Sequence, residues 1–219
     1  MSEDGPVPEV SLQASSPDEL ALGQLGQHMG YHLVKRSPTV VMVDTPEPSE
    51  GKEKPKREKI VLEQLASLDF NSKRKRATLV YKQADGSVWV TAKGADSAML
   101  KLTTHEDPVV MRRAQLQLLD LAERGLRTLV VAEAVKTEEW WASWEERYTE
   151  MASLPEKKGE AGHSKGGCSN NCRIYGIFNE IEEAAGLKFL GITAIEDKLQ
   201  DLVPECIADL LNGGIKVSQ

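Results

Sequence analysis

Cysteine is scarce, with three residues in 219. An odd and sparse count excludes the disulfide framework that small secreted domains rely on. Cys168 and Cys172 sit four apart in the stretch Gly166-Gly167-Cys168-Ser169-Asn170-Asn171-Cys172. The nearest histidine is His163 and no second pair follows, so a zinc site lacks half of its donors and the cysteines read as free thiols. No run of ~18 apolar residues occurs, which excludes a bilayer-spanning helix in this sequence. The first residues, Met1-Ser2-Glu3-Asp4-Gly5-Pro6, are acidic and lack the apolar centre of a signal peptide. No N-x-[ST] acceptor occurs. Basic residues are in the minority, 27 Lys and Arg against 34 Asp and Glu, for a net charge of −7. That balance argues against a nucleic-acid coat protein or a generally basic membrane-surface binder. A soluble, cytosolic module is the expectation.

Familiar catalytic signatures are missing too. There is no G-x-x-x-x-G-K-[ST], no G-x-G-x-x-G, no H-E-x-x-H and no G-x-S-x-G. His28 and His32 are four apart, but Gly30 between them breaks any helix that would turn both toward one metal. With four histidines and no paired-carboxylate motif, a self-contained hydrolase is hard to assemble.

What is present is a patterned globular chain, 40% apolar and 28% charged, long enough to bury a core without staples. Two stretches read as flexible surface loops. Residues 44–58 hold three prolines, nine charged residues and no aliphatic side chain, too little to offset the entropy of ordering. Residues 155–171 are similar, rich in Gly, Lys, Glu and Ser. Ser16-Pro17-Asp18-Glu19 opens a helix in the capping-box arrangement, with Leu20, Leu22, Leu25 and Met29 as its buried stripe and Gly30 as its stop.

Strand-like runs follow at Tyr31–Lys35, Val40–Asp44, Ile60–Phe70, Arg76–Gln83 and Ser87–Lys93, the last two joined by the tight turn Ala84-Asp85-Gly86. Met111, Ala114, Leu118, Leu121 and Ala122 set a helix over Asp107–Arg124, ended by Gly125. Leu126–Val135 is a strand. A tryptophan-rich helix follows Thr137, and another spans about Asn171 to Ala185. The tail then reads strand, helix, strand over Leu187–Thr193, Leu202–Leu211 and Gly214–Val217. This shift near residue 187 marks a candidate domain boundary.

Four polar clusters lie at element ends. In Ser16-Pro17-Asp18-Glu19, capping alone accounts for Glu19. In Leu68-Asp69-Phe70-Asn71-Ser72-Lys73-Arg74-Lys75-Arg76 an aromatic precedes four consecutive cations, a combination able to stack a base and attract phosphate. Taken alone it reads better as a strand end with Phe70 in the core and a solvated charge run. Thr91-Ala92-Lys93-Gly94-Ala95-Asp96 ends a strand on a lysine. Arg124-Gly125-Leu126-Arg127-Thr128-Leu129 starts one on an arginine, whose planar fork suits phosphate oxygens. Together they supply an aromatic platform, a carboxylate, a lysine and an arginine, parts enough to bind a nucleotide.

The ordered series Ser15-Ser16-Pro17-Asp18-Glu19, Asp69-Phe70-Asn71-Ser72-Lys73-Arg74-Lys75-Arg76, Lys93-Gly94-Ala95-Asp96, Gly125-Leu126-Arg127-Thr128-Leu129 and Thr193-Ala194-Ile195-Glu196-Asp197-Lys198-Leu199-Gln200 closely resembles the P-type ATPases, and more narrowly their type-four, phospholipid-flippase subfamily. The resemblance implies an α+β fold, an antiparallel sheet flanked by helices, which is the cytosolic nucleotide-binding domain of that family. It implies a nucleotide-binding domain over residues 1–186 and a partial phosphorylation-domain segment over 187–219. It also implies roles. Phe70 stacks on adenine, Glu19 lies at the adenine edge, Lys93 sits deep in the same pocket, Ser72 contributes, and Arg127 reaches toward the phosphates. Asp197 matches a phosphorylation-domain segment near the hinge.

The family's phosphorylated aspartate lies in D-K-T-G-T, which does not occur here. Neither does its G-D-G-x-N-D metal-binding loop. The resemblance therefore implies a monomeric, ATP-binding fragment of an integral membrane protein. Mg²⁺, the phosphorylation domain, the phospholipid substrate and an accessory subunit would all be engaged outside it. Two other readings stay open: a P-type ATPase carrying a different substrate, and a non-catalytic module in which Lys73–Arg76 engages an acidic partner or a phosphoinositide surface.

Overall fold

In the computed structural model of the chain, residues 12–46, 57–153, 173–196 and 201–217 are described. The expected loop cores, Cys168 and Cys172, and Asp197 lie outside them. Seven strands form one sheet: β1 (His32–Arg36), β2 (Val40–Pro46), β3 (Arg57–Asn71), β4 (Arg76–Lys82), β5 (Val88–Gly94), β6 (Arg127–Lys136) and β7 (Lys188–Ile195). Their order in the sheet is their order in the chain, and every neighbouring pair is antiparallel.

Strict alternation gives the sheet a dry face and an open one. In β5, Val88, Val90, Ala92 and Gly94 are buried while Trp89, Thr91 and Lys93 are half-buried. Val80 of β4 and Val130, Ala132 and Ala134 of β6 continue the dry face. Helices cover that side: α2 (Asp96–Met99), α3 (Pro108–Glu123), α4 (Glu138–Ala152) and α5 (Arg173–Ala185). Met99, Ala114, Leu118, Trp141, Ile177, Phe178 and Ile181 bring them into a single core with the strands. Trp141, Tyr148 and Phe178 form an aromatic chain, with ring centres 6.0 and 5.7 Å apart.

Helix α1 (Pro17–His28) starts as expected, with Ser16 Oγ accepting from the Glu19 amide at 3.2 Å and Pro17 in the first turn. Its expected stripe is not buried. Leu25 and Met29 are 47% and 62% exposed and no residue of the helix is fully buried. The leucine spacing marks a helix here, but the neutral polar remainder gives it no strongly preferred side.

The expected boundary near residue 187 falls inside one packed unit. Leu187 is fully buried, Phe189 is buried, and β7 completes the sheet against β6. The β-α-β pattern is read locally as a change of fold, but β7 pairs antiparallel and extends the meander. Helix α6 (Val203–Asn212) follows with no buried residue, and residues 215–217 form no strand.

Candidate functional site

The open face brings the sequence-nominated residues to one strip. A bulge in β3 between Leu68 and Asn71 sets two residues, Asp69 and Phe70, opposite Ala77 of β4. Bulges free a side chain from the ladder and re-aim it. Phe70 is 60% exposed, not part of the core. Ala77 in turn pairs with Lys93 of β5, so the Phe70 and Lys93 backbones are two strand spacings apart, ~10 Å. Lys93 pairs with Val131 of β6. Arg127 begins that strand four residues earlier, ~13 Å along it, directly opposite Ile195 of β7.

Helix α1 sends its acidic first turn onto the two cations. Glu19 Oε2 accepts from Lys93 Nζ at 2.6 Å, and Asp18 Oδ2 lies 3.0 Å from Arg127 Nη2. Ser16 takes the Glu19 backbone amide, one half of the expected capping box, while the Glu19 carboxylate goes to Lys93. Both pairs are partly exposed, and each contributes only about 0.2–1 kcal/mol to stability. They are more useful as placement than as glue. Ser72 is exposed in the turn beyond Phe70.

The charge run Lys73–Arg76 behaves differently from the expectation of a solvated face. Arg74 and Arg76 turn inward to α5 and share the carboxylate of Glu182, which is wholly buried. Arg76 Nε donates to Glu182 Oε2 at 2.7 Å. Arg74 Nη2 and Thr78 Oγ1 both donate to Glu182 Oε1. Asn179 Oδ1 accepts from Arg76 Nη2 at 2.7 Å. Asn71 Nδ2 donates to the Tyr175 hydroxyl at 2.9 Å, while Asn71 Oδ1 accepts from the Lys73 amide at 2.8 Å. Burial pulls the Arg74 guanidinium below its ordinary range, and the Glu182 carboxylate opposes that pull.

One strip thus carries an exposed aromatic, a lysine and an arginine, with a carboxylate paired to each cation. Residues 7–201 match the family model of the P-type ATPase cytoplasmic domain N. The chain belongs to the P-type ATPases. It is 35% identical over 208 residues to the protein named phospholipid-transporting ATPase DRS2 of Saccharomyces cerevisiae, covering 95% of this chain and 14% of that protein. To mouse phospholipid-transporting ATPase IK it is 34% identical over 210 residues, 95% of this chain and 14% of the relative. To human phospholipid-transporting ATPase ID it is 33% identical over 217 residues, 99% and 16% respectively. The chain thus spans about one-seventh of the length of the relatives it matches. The antiparallel sheet with flanking helices is the α+β architecture that the resemblance implied.

Within this P-type ATPase domain the sequence reading missed the supporting residues. Asp18 stands in the first motif with no role implied for it, and Tyr175, Asn179 and Glu182 belong to no motif. Their signal was available: positions 175, 179 and 182 recur at helical spacing on one side of an amphipathic helix. A separate groove between α3 and β7, lined by Gln117, Leu121, Phe189 and Ile192 among others, shares none of the nominated residues. Its charged members, Asp120 and Arg124, form an exposed pair.

Proposed function

We propose that this chain is the ATP-holding domain of a membrane P-type ATPase that moves phospholipids between leaflets. In this reading adenine stacks on Phe70, Glu19 lies at its edge, Lys93 sits beneath it, Ser72 assists, and Arg127 takes phosphate oxygens. The observation that carries the reading is Phe70, lifted out of the core by the bulge and two strands from Lys93. The names of the relatives support phospholipid as the transported class. The γ-phosphate is presented to an aspartate and Mg²⁺ held by the phosphorylation domain, since D-K-T-G-T is not in this sequence. Asp18 and Glu19 are already tied to cations. No cluster of three His, Cys, Asp or Glu exists among the described residues to cage a metal.

Phosphoryl transfer depends on positioning and charge stabilisation, so a domain that grips the nucleoside end can serve a nucleophile elsewhere. Binding of ATP to this chain alone is therefore modest, nearly independent of Mg²⁺, and without turnover. The test is an ATP titration followed by backbone chemical shifts. Perturbations are expected at Glu19, Phe70, Lys93 and Arg127. Saturating ATP that leaves those four unmoved would overturn the site. The interaction-module reading loses its footing, because two of the four cations it needs, Arg74 and Arg76, are turned inward onto Glu182.

A further inference from the structure

Taking the ATP site on Phe70 as given, we infer that Glu182 is its positioning residue, holding the Asn71–Arg76 turn from the opposite side of the sheet through Arg74 and Arg76. The turn is unusual in how many independent ties it has. On one side, α5 offers Tyr175 to Asn71, Asn179 to both arginines, and Glu182 to both arginines and Thr78. The Arg74 guanidinium also rests over the Tyr175 and Phe178 rings, 5.9 and 6.0 Å from their centres. On the other side, the Ala95 amide donates to the Lys75 carbonyl at 2.8 Å. Lys75 itself takes a left-handed conformation, φ 55°, which a lysine adopts only when its surroundings impose it.

These ties meet at Phe70, Ser72 and Lys93. Phe70 and Ser72 flank Asn71 in sequence, and Lys93 precedes Gly94, the residue packed against Lys75 and Arg76. Setting the turn therefore sets the distance between the stacking platform and the lysine. Among the described residues a single carboxylate faces the two guanidiniums, leaving a surplus positive charge, and Arg74 Nη1 is buried without a hydrogen-bond partner. A cluster built for stability alone would not carry that deficit, since replacing buried ion groups by apolar ones is often neutral or stabilising. Its geometry is better explained by the exposed turn it fixes.

The experiment is a double-mutant cycle on the 219-residue chain, with ATP affinity measured by calorimetry well below each variant's melting temperature. Phe70→Ala, Glu182→Gln and the double variant are compared. Glu182→Gln should weaken ATP roughly tenfold and should have a much smaller further effect once Phe70 is alanine, because the stacking ring is the main group that the turn positions. Tyr175→Phe, which removes the hydroxyl that accepts from Asn71, should weaken ATP about two- to fivefold with only a small loss of stability, and it serves if Glu182→Gln does not fold. If Phe70→Ala binds as the parent does, the ATP site is misassigned and this inference falls with it. If Phe70→Ala weakens binding but Glu182→Gln does not, or if the two losses simply add, the site stands and the positioning role alone is overturned. Where Glu182→Gln does not fold, parent-like ATP affinity in Tyr175→Phe overturns it in the same way.

Discussion

Gly94 is the most tightly enclosed of the described glycines. A Cβ built there would stand 2.4 Å from the Lys75 carbonyl oxygen and 2.5 Å from Arg76 Cβ. Backbone cannot yield as a flexible side chain does, so Gly94→Ala should destabilise by about 1–3 kcal/mol in thermal or urea unfolding, and should weaken ATP through the displaced turn. Phe70→Ala makes the opposite separation. Its ring is exposed, so stability should change by under ~0.5 kcal/mol. Base stacking is worth about 1–3 kcal/mol, so ATP affinity should fall roughly five- to 150-fold. At this scale the sequence spoke unevenly. Phe70 and Lys93 were legible as an aromatic and a lysine at strand ends. The burial of Arg74 and Arg76 was not, because a run of four cations looks solvated until the buried glutamate, more than a hundred residues away, is placed opposite.

Among the elements, α1 and α5 hold the strip from its two faces with unequal strength. Helix α1 relies on its cap and two partly exposed ion pairs. Ser16→Ala should cost about 1 kcal/mol locally and should show as lost amide-exchange protection over Leu20–Leu25 while the strands keep theirs. Helix α5 is anchored through the core, and Tyr148 of α4 packs edge-on against its Phe178. Burial holds the phenols of Tyr81 and Tyr148 above their ordinary range. Unfolded tyrosines ionise near ~10, so above that pH the unfolded chain sheds protons that the folded one retains. Stability should thus decline from about pH 10 upward, and Tyr148→Phe should flatten the decline in urea titrations at pH 9 and 11. Element type was readable from alternation and helix caps. What failed were judgements of partner: the α1 stripe left exposed, and β7 assigned to another domain. Both depend on tertiary neighbours that local periodicity does not contain.

For the molecule as a whole, the strictly sequential strand order joins β1 to β5 by short connections, whereas α2 and α3 intervene before β6 and α4 and α5 before β7. The local pairings of β1 to β5 close the shorter loops and should form first. The strand order also places the chain's path in an unexpected light at Arg127. The segment entering α1 touches this residue through Asp18, and the outgoing β7 runs past it at Ile195. The start of α1 and the end of β7 therefore meet at one residue, and a load applied between them bypasses the other strands. Pulled by residues 16 and 196, the fold should part first at the Asp18–Arg127 contact and the adjoining end of β7, with β2 to β5 still paired. Optical-trap traces with Arg127→Ala should show that first event at lower force and the main unfolding unchanged. An arginine proposed to feel the phosphates thus also clasps the start of α1 to the end of the sheet.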